Sequence, residues 1–320
     1  MPPASPQPWT LPLPVFFRQP GDLPFPDRLP RPVAVLDLAF NGGDPSRDLA
    51  WIEQMGSDLA VWIDHHEQAL WQRFQQDRRF VLVPRSEAPA LPPLVTAERV
   101  QSFGPVGCLI AHGDTDGVLA AAKWMVLQQG DSPPTWLDPD SIVADTRKGE
   151  MTARGWRLDA ALRTAGGKDR IRRMAIASVL AEAQGLPESY EVNRGLNLAV
   201  EDFQRILKTT EAIVAQAQPI PDLDRDAVWV DLRQLSPYLR LDATELMLRL
   251  QARHELVIVF GRARGGALKI IASTESDRTG LDLRQFFDLQ GFAPFRVHLN
   301  QEQLLSHLPS LWLRQRLETP

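Results

Sequence analysis

The chain has 320 residues, a formal net charge of −5, 44% hydrophobic and 23% charged residues, which is typical of a soluble globular protein with two domains. The negative charge argues against a protein that coats long nucleic acid, because such binding depends on counterion release to Lys and Arg. The apolar runs are too short for a membrane span, and the single cysteine, Cys108, excludes an intrachain disulfide framework. With no signal-peptide pattern at residue 1, we expect a cytoplasmic protein without a membrane partner.

Residues 1–32 are crowded with proline, which fixes φ and removes backbone donors, so they predict neither a helix nor a central strand. An extended arm and a disordered tail are the two alternatives. Aromatic side chains favour the arm, docked through Trp9, Phe16, Phe17 and Phe25.

From residue 33 short apolar runs alternate with helical patterns, which predicts βαβ units and a parallel sheet. The predicted strands are 33–38, 59–63, 80–83 and 106–111, with a short strand at 136–137 and an apolar run at 141–146. The predicted helices of this region are 46–56, 67–77, 118–129, 171–183 and 196–217. After residue 218, the predicted strands are 227–230, 256–260, 267–272 and 295–299, with a hairpin at Gly265-Gly266 and helices at 242–252 and 281–288.

The predicted fold class is therefore α/β, with a parallel-sheet domain flanked by helices and a smaller α+β domain at the carboxyl end of the chain. We expect an amino-terminal arm at 1–32, the parallel-sheet domain at 33–190, a linker helix at 191–217 and the smaller domain at 218–320.

Acidic residues and histidines follow several of the apolar runs, and the carboxyl ends of parallel strands gather at one edge of a sheet. They are Asp37, the triplet Asp64-His65-His66, the turn His112-Gly113-Asp114-Thr115-Asp116-Gly117, and Asp145. A single Asp at a strand end is more often a helix cap or turn residue. Burying this many carboxylates together is costly without balancing cations, and oxygen donors with imidazole suit Mg²⁺ or Mn²⁺. The pattern predicts a candidate two-metal centre.

Four motifs carry a family resemblance. Ile63-Asp64-His65-His66-Glu67 resembles the name-giving motif of the DHH phosphoesterase family, and Ala111–Val118 is similar to the first metal motif of its nanoRNase-like and RecJ-like members. Val35-Leu36-Asp37 resembles the second motif, and Val143-Ala144-Asp145-Thr146 resembles the fourth. The family order is first, second, DHH, fourth, whereas this chain has second, DHH, first, fourth. The resemblance, over residues 33–216, therefore implies a permuted or rewired sheet, which would explain the long connection at 84–105.

The resemblance also implies roles for the residues of these motifs. Asp37 would bridge two Mn²⁺ or Mg²⁺ ions, which would activate a water for attack on phosphorus. His66 would contact the substrate phosphate, supported by Asp64. The implied metal ligands are Asp37, Asp114 and His112 for one ion, and Asp37, Asp116, His65 and Asp145 for the other.

The region 218–316 resembles the family's DHH-associated substrate domain, but it departs from the family's glycine-rich GGGH loop. Of that loop only Gly291 is retained, and Arg278 or Arg296 could supply a replacement cation. Equally, both could be surface arginines. Arg147 and Lys148 directly follow a metal motif and are the best candidates for phosphate contacts, with a solvated helix face as the alternative.

The resemblance implies a metal-dependent hydrolase acting on a nucleotidic substrate: a short single-stranded oligonucleotide or a strand end, cleaved as by an exonuclease or nanoRNase. One alternative is a phosphatase or phosphodiesterase for a small nucleotide, such as phosphoadenosine phosphate or a cyclic dinucleotide. Another is a non-catalytic metal- or nucleotide-binding scaffold. The sequence does not decide between DNA and RNA, the polarity of cleavage or the oligomeric state.

Overall fold

The computed structural model describes residues 11–17, 23–41, 44–167, 169–236, 239–262, 266–289 and 294–318. The chain divides into two compact units between Phe203 and Gln204. Each unit contains one five-stranded sheet. The predicted fold class, a parallel-sheet α/β unit with flanking helices followed by a smaller α+β unit, is confirmed.

The sheet of the first unit is entirely parallel and has the strand order β1-β5-β2-β3-β4. Its strands are β1 (Leu13–Phe17), β2 (Val33–Leu36), β3 (Leu59–Asp64), β4 (Phe80–Leu82) and β5 (Cys108–His112). Although β5 comes last along the chain, it lies between β1 and β2. The carboxyl ends of β2, β3 and β5 therefore meet at the same edge, and each is followed by residues of the candidate site.

Both faces of this sheet are buried, which explains why its strands are continuous apolar runs rather than alternating patterns. Successive side chains of a strand point to opposite faces. In β2, Val33 and Val35 belong to one hydrophobic core, and Ala34 and Leu36 belong to the core on the other face.

The first unit's helices cover this sheet. They are α1 (Ser46–Met55), α2 (Ala97–Phe103), α3 (Thr115–Gln128), α4 (Leu137–Thr146), α5 (Ala153–Thr164), α6 (Asp169–Ala183) and α7 (Tyr190–Val214), within which the division between the units falls. Short 3-10 helices lie at Pro26–Arg28, Gly56–Asp58, Ala69–Phe74 and Pro92–Leu94. Helix α3 is buried on almost all sides, so its amino terminus is held firmly at the sheet edge.

The secondary structure predicted for residues 136–146 was wrong. In place of a short strand and an apolar run that ends a strand, these residues form the start and body of α4. The buried residues of α4 are Leu137, Asp140, Ser141 and Ala144, and their spacing is that of one helix face. Asp145 therefore lies in the last turn of a helix. The helix predicted at 67–77 is also wrong, because only the 3-10 helix Ala69–Phe74 forms there.

The proline-rich arm contributes β1, an edge strand that accommodates Pro14 because a proline at a sheet edge leaves no interior hydrogen bond unmade. Phe16 and Phe17 pack against the two cores of the first unit. Phe25 is 66% exposed, so the expectation that it docks was wrong. Trp9 lies outside the described residues.

The second unit has a mixed sheet with the strand order β10-β9-β8-β7-β6, in which only β7 and β8 are parallel. Its strands are β6 (Gln218–Pro219), β7 (Ala227–Asp231), β8 (Leu256–Arg262), β9 (Leu268–Ser273) and β10 (Arg296–Leu299). Its helices after α7 are α8 (Ala243–Gln251), α9 (Ser276–Thr279), α10 (Leu283–Phe286), α11 (Gln301–His307) and α12 (Leu311–Glu318). The helix predicted at 281–288 is thus much shorter, and Gly265 of the predicted hairpin lies outside the described residues.

Among the described residues, no helix combines the length and apolar character needed to cross a bilayer.

Candidate metal centre

Eight acidic and histidine side chains converge at the carboxyl edge of the parallel sheet. They form three overlapping groups, and within each group the candidate donor atoms lie within 4.8 Å of one another. The groups are Asp37 with His65 and His66, Asp37 with His112 and Asp114, and His65 with Asp116 and Asp145. The eighth side chain, Asp64, contacts His66. The structure thus brings together all the residues that the sequence predicted as metal ligands or catalytic residues.

Asp37 lies at the centre of these groups. It directly follows β2 in a left-handed conformation, with φ at 58°, and its backbone N–H donates to the Ile63 carbonyl at 2.9 Å. Its carboxylate oxygens face different groups, since Oδ1 lies 3.2 Å from His65 Nε2 and Oδ2 lies 3.8 Å from His112 Nδ1. Neither oxygen makes a hydrogen bond of ordinary geometry with any described residue. Such a buried carboxylate is costly unless a cation balances it.

The raised pKa values of Asp37 and Asp116 show the same excess of negative charge. Burial raises the pKa of Asp37, and the charge of Asp114 raises it further, against the lowering effect of His65 and His66. Burial, followed by the charges of Asp37 and Asp114, raises the pKa of Asp116 well above its ordinary value. For Asp114, burial is outweighed by the charge and hydrogen bond of His112, which hold its pKa below the usual range.

The two histidines after β3 are both oriented by their Nδ1 atoms. His65 Nδ1 lies 2.9 Å from the Ala88 carbonyl, which can only accept, so this nitrogen carries a proton. His66 Nδ1 lies 2.7 Å from Asp64 Oδ1. Partners of this kind fix the tautomer and ring orientation of metal-binding histidines, leaving Nε2 as the donor atom. Burial alone would lower the pKa of His65, but the negative charge of Asp37, whose Oδ1 lies 3.2 Å from Nε2, raises it.

The amino terminus of α3 positions the carboxylates of the acidic turn. Asp114 is the N-cap residue and accepts from the Gly117 N–H at 3.3 Å. Asp116 Oδ2 accepts from the Leu91 N–H at 3.2 Å. A Cβ at position 117 would lie 2.9 Å from Asp37 Oδ2 and 2.6 Å from the His112 carbonyl oxygen. Gly117 is therefore required for helix α3 to begin this close to Asp37.

The connection at residues 84–94 contributes to the site in a way that the sequence analysis missed. Arg85 extends into the donor groups, with its Nη1 3.1 Å from Asp145 Oδ2 and its Nη2 3.0 Å from His66 Nε2. The backbone of the same connection holds His65 and Asp116 through Ala88 and Leu91. The signal that could have identified Arg85 is its position. Arg85 comes just after β4, and the histidine pair follows β3, the parallel neighbour of β4.

The three arginines predicted to bind substrate make contacts within their own units. Arg147 donates from Nη1 to Asp159 Oδ2 at 2.9 Å, and Lys148 is exposed. In the second unit, Arg278 donates to the carbonyls of Gln251 and His254, and Arg296 lies 3.3 Å from the Thr244 hydroxyl. Gly291 lies outside the described residues.

No family model matches the chain, and no curated protein matches it. Among solved structures, the chain is similar to a pGpG-specific phosphodiesterase, PggH from Vibrio cholerae, with a TM-score of 0.38 and 10% sequence identity. The similarity covers 89% of this chain and 98% of that chain. A similarity at this level supports no inference about activity, so function has to be inferred from the donor groups themselves.

Proposed function

We propose that the chain is a divalent-metal-dependent phosphoesterase that hydrolyses a phosphoester bond of a nucleotidic substrate, either a short oligonucleotide or a single-strand end. The proposal rests on the position of the Asp37 carboxylate. Its two buried oxygens face separate groups of donors and make no ordinary hydrogen bond with a described residue. This is the arrangement required of a carboxylate that bridges two cations.

The donor set fits two hard or borderline divalent ions. Carboxylate oxygens suit Mg²⁺ and Mn²⁺, while the imidazole nitrogens favour Mn²⁺ over Mg²⁺. Asp37 would bridge the ions. The remaining ligands are His112 and Asp114 for one ion, and His65, Asp116 and Asp145 for the other, which are two of the groups that the structure brings together.

Two bound ions supply Lewis-acid polarisation of the phosphoryl group and lower the pKa of water, so no separate protein base is required. The chain's own residues fix the geometry. Asp64 holds the His66 ring through Nδ1 and leaves Nε2 beside Arg85. The His66 side chain is 32% exposed, which leaves it accessible to a substrate phosphate. His66 would orient that phosphate, and Asp64 would hold its tautomer.

The nucleotidic class of the substrate comes from the motif resemblance, and the site itself selects only for a phosphoester. A small nucleotide, such as phosphoadenosine phosphate or a cyclic dinucleotide, is the second candidate substrate. A scaffold that binds metal without hydrolysis would have the same donor groups, so the experiment below includes both outcomes.

The test combines metal binding with hydrolysis. Chelated protein is titrated with Mn²⁺ by calorimetry, then assayed with short RNA, short DNA, pGpG, a cyclic dinucleotide and phosphoadenosine phosphate. We expect Mn²⁺ binding and hydrolysis of at least one substrate. Asp37→Ala should abolish high-affinity binding and lower the rate by a factor on the order of 1,000 or more, since it removes the shared ligand.

Asp77→Ala is the matched control, because Asp77 is paired with Arg79 outside the donor groups and should leave both measurements unchanged. Mn²⁺ binding without hydrolysis of any of the five substrates would favour the scaffold. Full activity of Asp37→Ala would refute the site.

A further inference from the structure

Arg85 is a basic side chain that contacts His65, His66 and the candidate carboxylate donor Asp145. Its Nη2 lies 3.0 Å from His66 Nε2 and 3.4 Å from His65 Nε2. Its Nη1 lies 3.1 Å from Asp145 Oδ2. The guanidinium therefore lies among donor atoms that belong to two of the three candidate metal groups.

The contacts with the histidines show which kind of chemical group is favoured at the place that the Arg85 guanidinium occupies. Because His65 uses Nδ1 towards the Ala88 carbonyl, the Nε2 of its neutral ring presents a lone pair, and a lone pair attracts a cation. A guanidinium carries five donors and a charge that persists at every physiological pH, so it satisfies these atoms as a cation would. A guanidinium and a metal ion cannot both use the same Nε2 and carboxylate atoms.

We propose that Arg85 is a tethered counter-cation of this centre: it contacts the donor atoms of His65 and Asp145 in the metal-free protein and gives them up when a metal ion binds. This inference rests on the proposed function for its second step, in which the released guanidinium contacts a substrate phosphate. The first step concerns the metal alone and does not depend on any substrate.

The position of Arg85 favours that second step. Its side chain is 37% exposed, so it can turn towards solvent without breaking into a core. Once His65 and Asp145 are engaged by metal, the guanidinium keeps only its contact with His66, and its Nη1 is left for another partner. Arginine forms bidentate hydrogen bonds with phosphate oxygens, which a lysine cannot reproduce.

The first experiment is a calorimetric Mn²⁺ titration of the chelated full-length protein, comparing wild type, Arg85→Ala and Arg79→Ala. Removing a competing positive charge should tighten Mn²⁺ binding in Arg85→Ala by about tenfold or more, because unit charges this close interact strongly even at an intermediate effective dielectric. Arg79 is the matched control, since it lies before β4 and is paired with Asp77. Its removal should leave the affinity unchanged.

The second experiment measures hydrolysis at saturating Mn²⁺, using whichever substrate of the panel the wild type cleaves. Arg85→Ala should raise KM or lower kcat at least about tenfold although it binds metal more tightly, and Arg85→Lys should restore only part of the loss. Opposite effects of one substitution on metal affinity and on hydrolysis are not expected of a residue that merely supports the fold.

The outcomes separate this inference from the proposed function. If the wild type binds no Mn²⁺ and cleaves nothing, the proposed function fails. If the wild type binds Mn²⁺ but Arg85→Ala binds it with equal or lower affinity, Arg85 is not a competing cation and the inference is overturned. Tighter binding with unchanged hydrolysis would support the first step and refute the second.

Discussion

The two units of the chain differ in how their carboxylates are hydrogen-bonded. In the second unit, Asp231 accepts from Arg233 Nε at 2.9 Å and from its Nη2 at 2.7 Å, and the buried Ser273 hydroxyl donates to Gln251. At the sheet edge of the first unit, both Asp37 oxygens and Asp64 Oδ2 make no ordinary hydrogen bond with a described residue. Within the described residues, the buried carboxylate oxygens without hydrogen bonds all belong to the first unit.

The difference shows in the pKa values of the carboxyl groups. Burial tends to raise the pKa of Asp231, but its hydrogen bonds from Arg233 outweigh that effect and lower it. The pKa values of Asp37 and Asp116 are raised. A cluster that destabilises its own charged state is typical of a functional site, where stability is lost in exchange for binding. The three predictions below test this contrast between the units.

The largest expected effect is a change in stability that has opposite signs for one substitution in each unit. Asp37→Asn keeps a residue that tolerates the left-handed backbone but removes a buried charge that burial and Asp114 disfavour, so it should stabilise the chelated protein by about 1–2 kcal/mol. Ser273→Ala leaves Gln251 without its partner and should destabilise by about 1–2 kcal/mol. Calorimetric unfolding with a chelator present measures both.

In a unit of this size, each kcal/mol corresponds to roughly 2–4 °C in the unfolding temperature. Added Mn²⁺ should raise the unfolding temperature of the first unit in the wild type but not in Asp37→Asn. The wild type should then be the more stable of the two proteins. Destabilisation by both substitutions in the chelated protein would mean that the two units do not differ in this respect.

A smaller difference in stability is expected between two variants that each add one methyl group, one variant in each unit. Gly117→Ala forces a Cβ against Asp37 Oδ2 and the His112 carbonyl, and should cost about 1–3 kcal/mol and weaken Mn²⁺ binding. Gly261→Ala in β8 is the control, because a Cβ there meets no atom within 4 Å. It should change stability by less than about 0.5 kcal/mol. Equal effects of the two substitutions would show that α3 does not need its close approach to Asp37.

The smallest effect concerns acid sensitivity in the second unit. Because the folded-state pKa of Asp231 is lowered, its carboxylate stabilises the folded protein above the ordinary Asp pKa of about 3.9, and this contribution is lost as the pH falls through the lowered value. Asp231→Asn should therefore lower the unfolding temperature at pH 7, by an amount equivalent to no more than about 1 kcal/mol, and not at the lowest pH where folding persists. A loss that is independent of pH would argue against an ionic role.

The sequence predicted the candidate site better than it predicted the elements around it. Asp37, the histidine pair and the acidic turn follow strands whose apolar runs are unbroken, so their common edge could be inferred from strand direction. Asp145 belongs to the same group but lies in a helix. That helix was not predicted, because the spacing of the buried residues of α4 was not distinguished from a short apolar run. A metal group requires only that donors meet in space, and their element type is not constrained.

Other parts of the site depend on contacts that no local pattern predicts. Arg85 and the backbone groups of Ala88 and Leu91 lie in a connection without regular periodicity, and their roles come from what the connection packs against. The edge strand β1 was hidden by its prolines, which reduce strand propensity everywhere except at an edge. In the same way, Arg147 was expected to be available for phosphate, but it is paired with Asp159, a partner twelve residues away.

The pairing of β1 with β5 has a consequence for how the chain folds. Leu13 is paired with Cys108 and Phe17 with His112, so β1 must wait for a partner about 95 residues further along the chain. Contacts of such high sequence separation are slow to form, because loop-closure entropy is lost before the pairing is gained. During synthesis, the segment that bonds to Gly113 in the acidic turn, through the Phe17 carbonyl at 2.8 Å, stays unpaired until β5 has emerged. The candidate metal-binding edge therefore stays incomplete until β5 and the residues after it have emerged, and until then the unpaired β1 segment is exposed to aggregation.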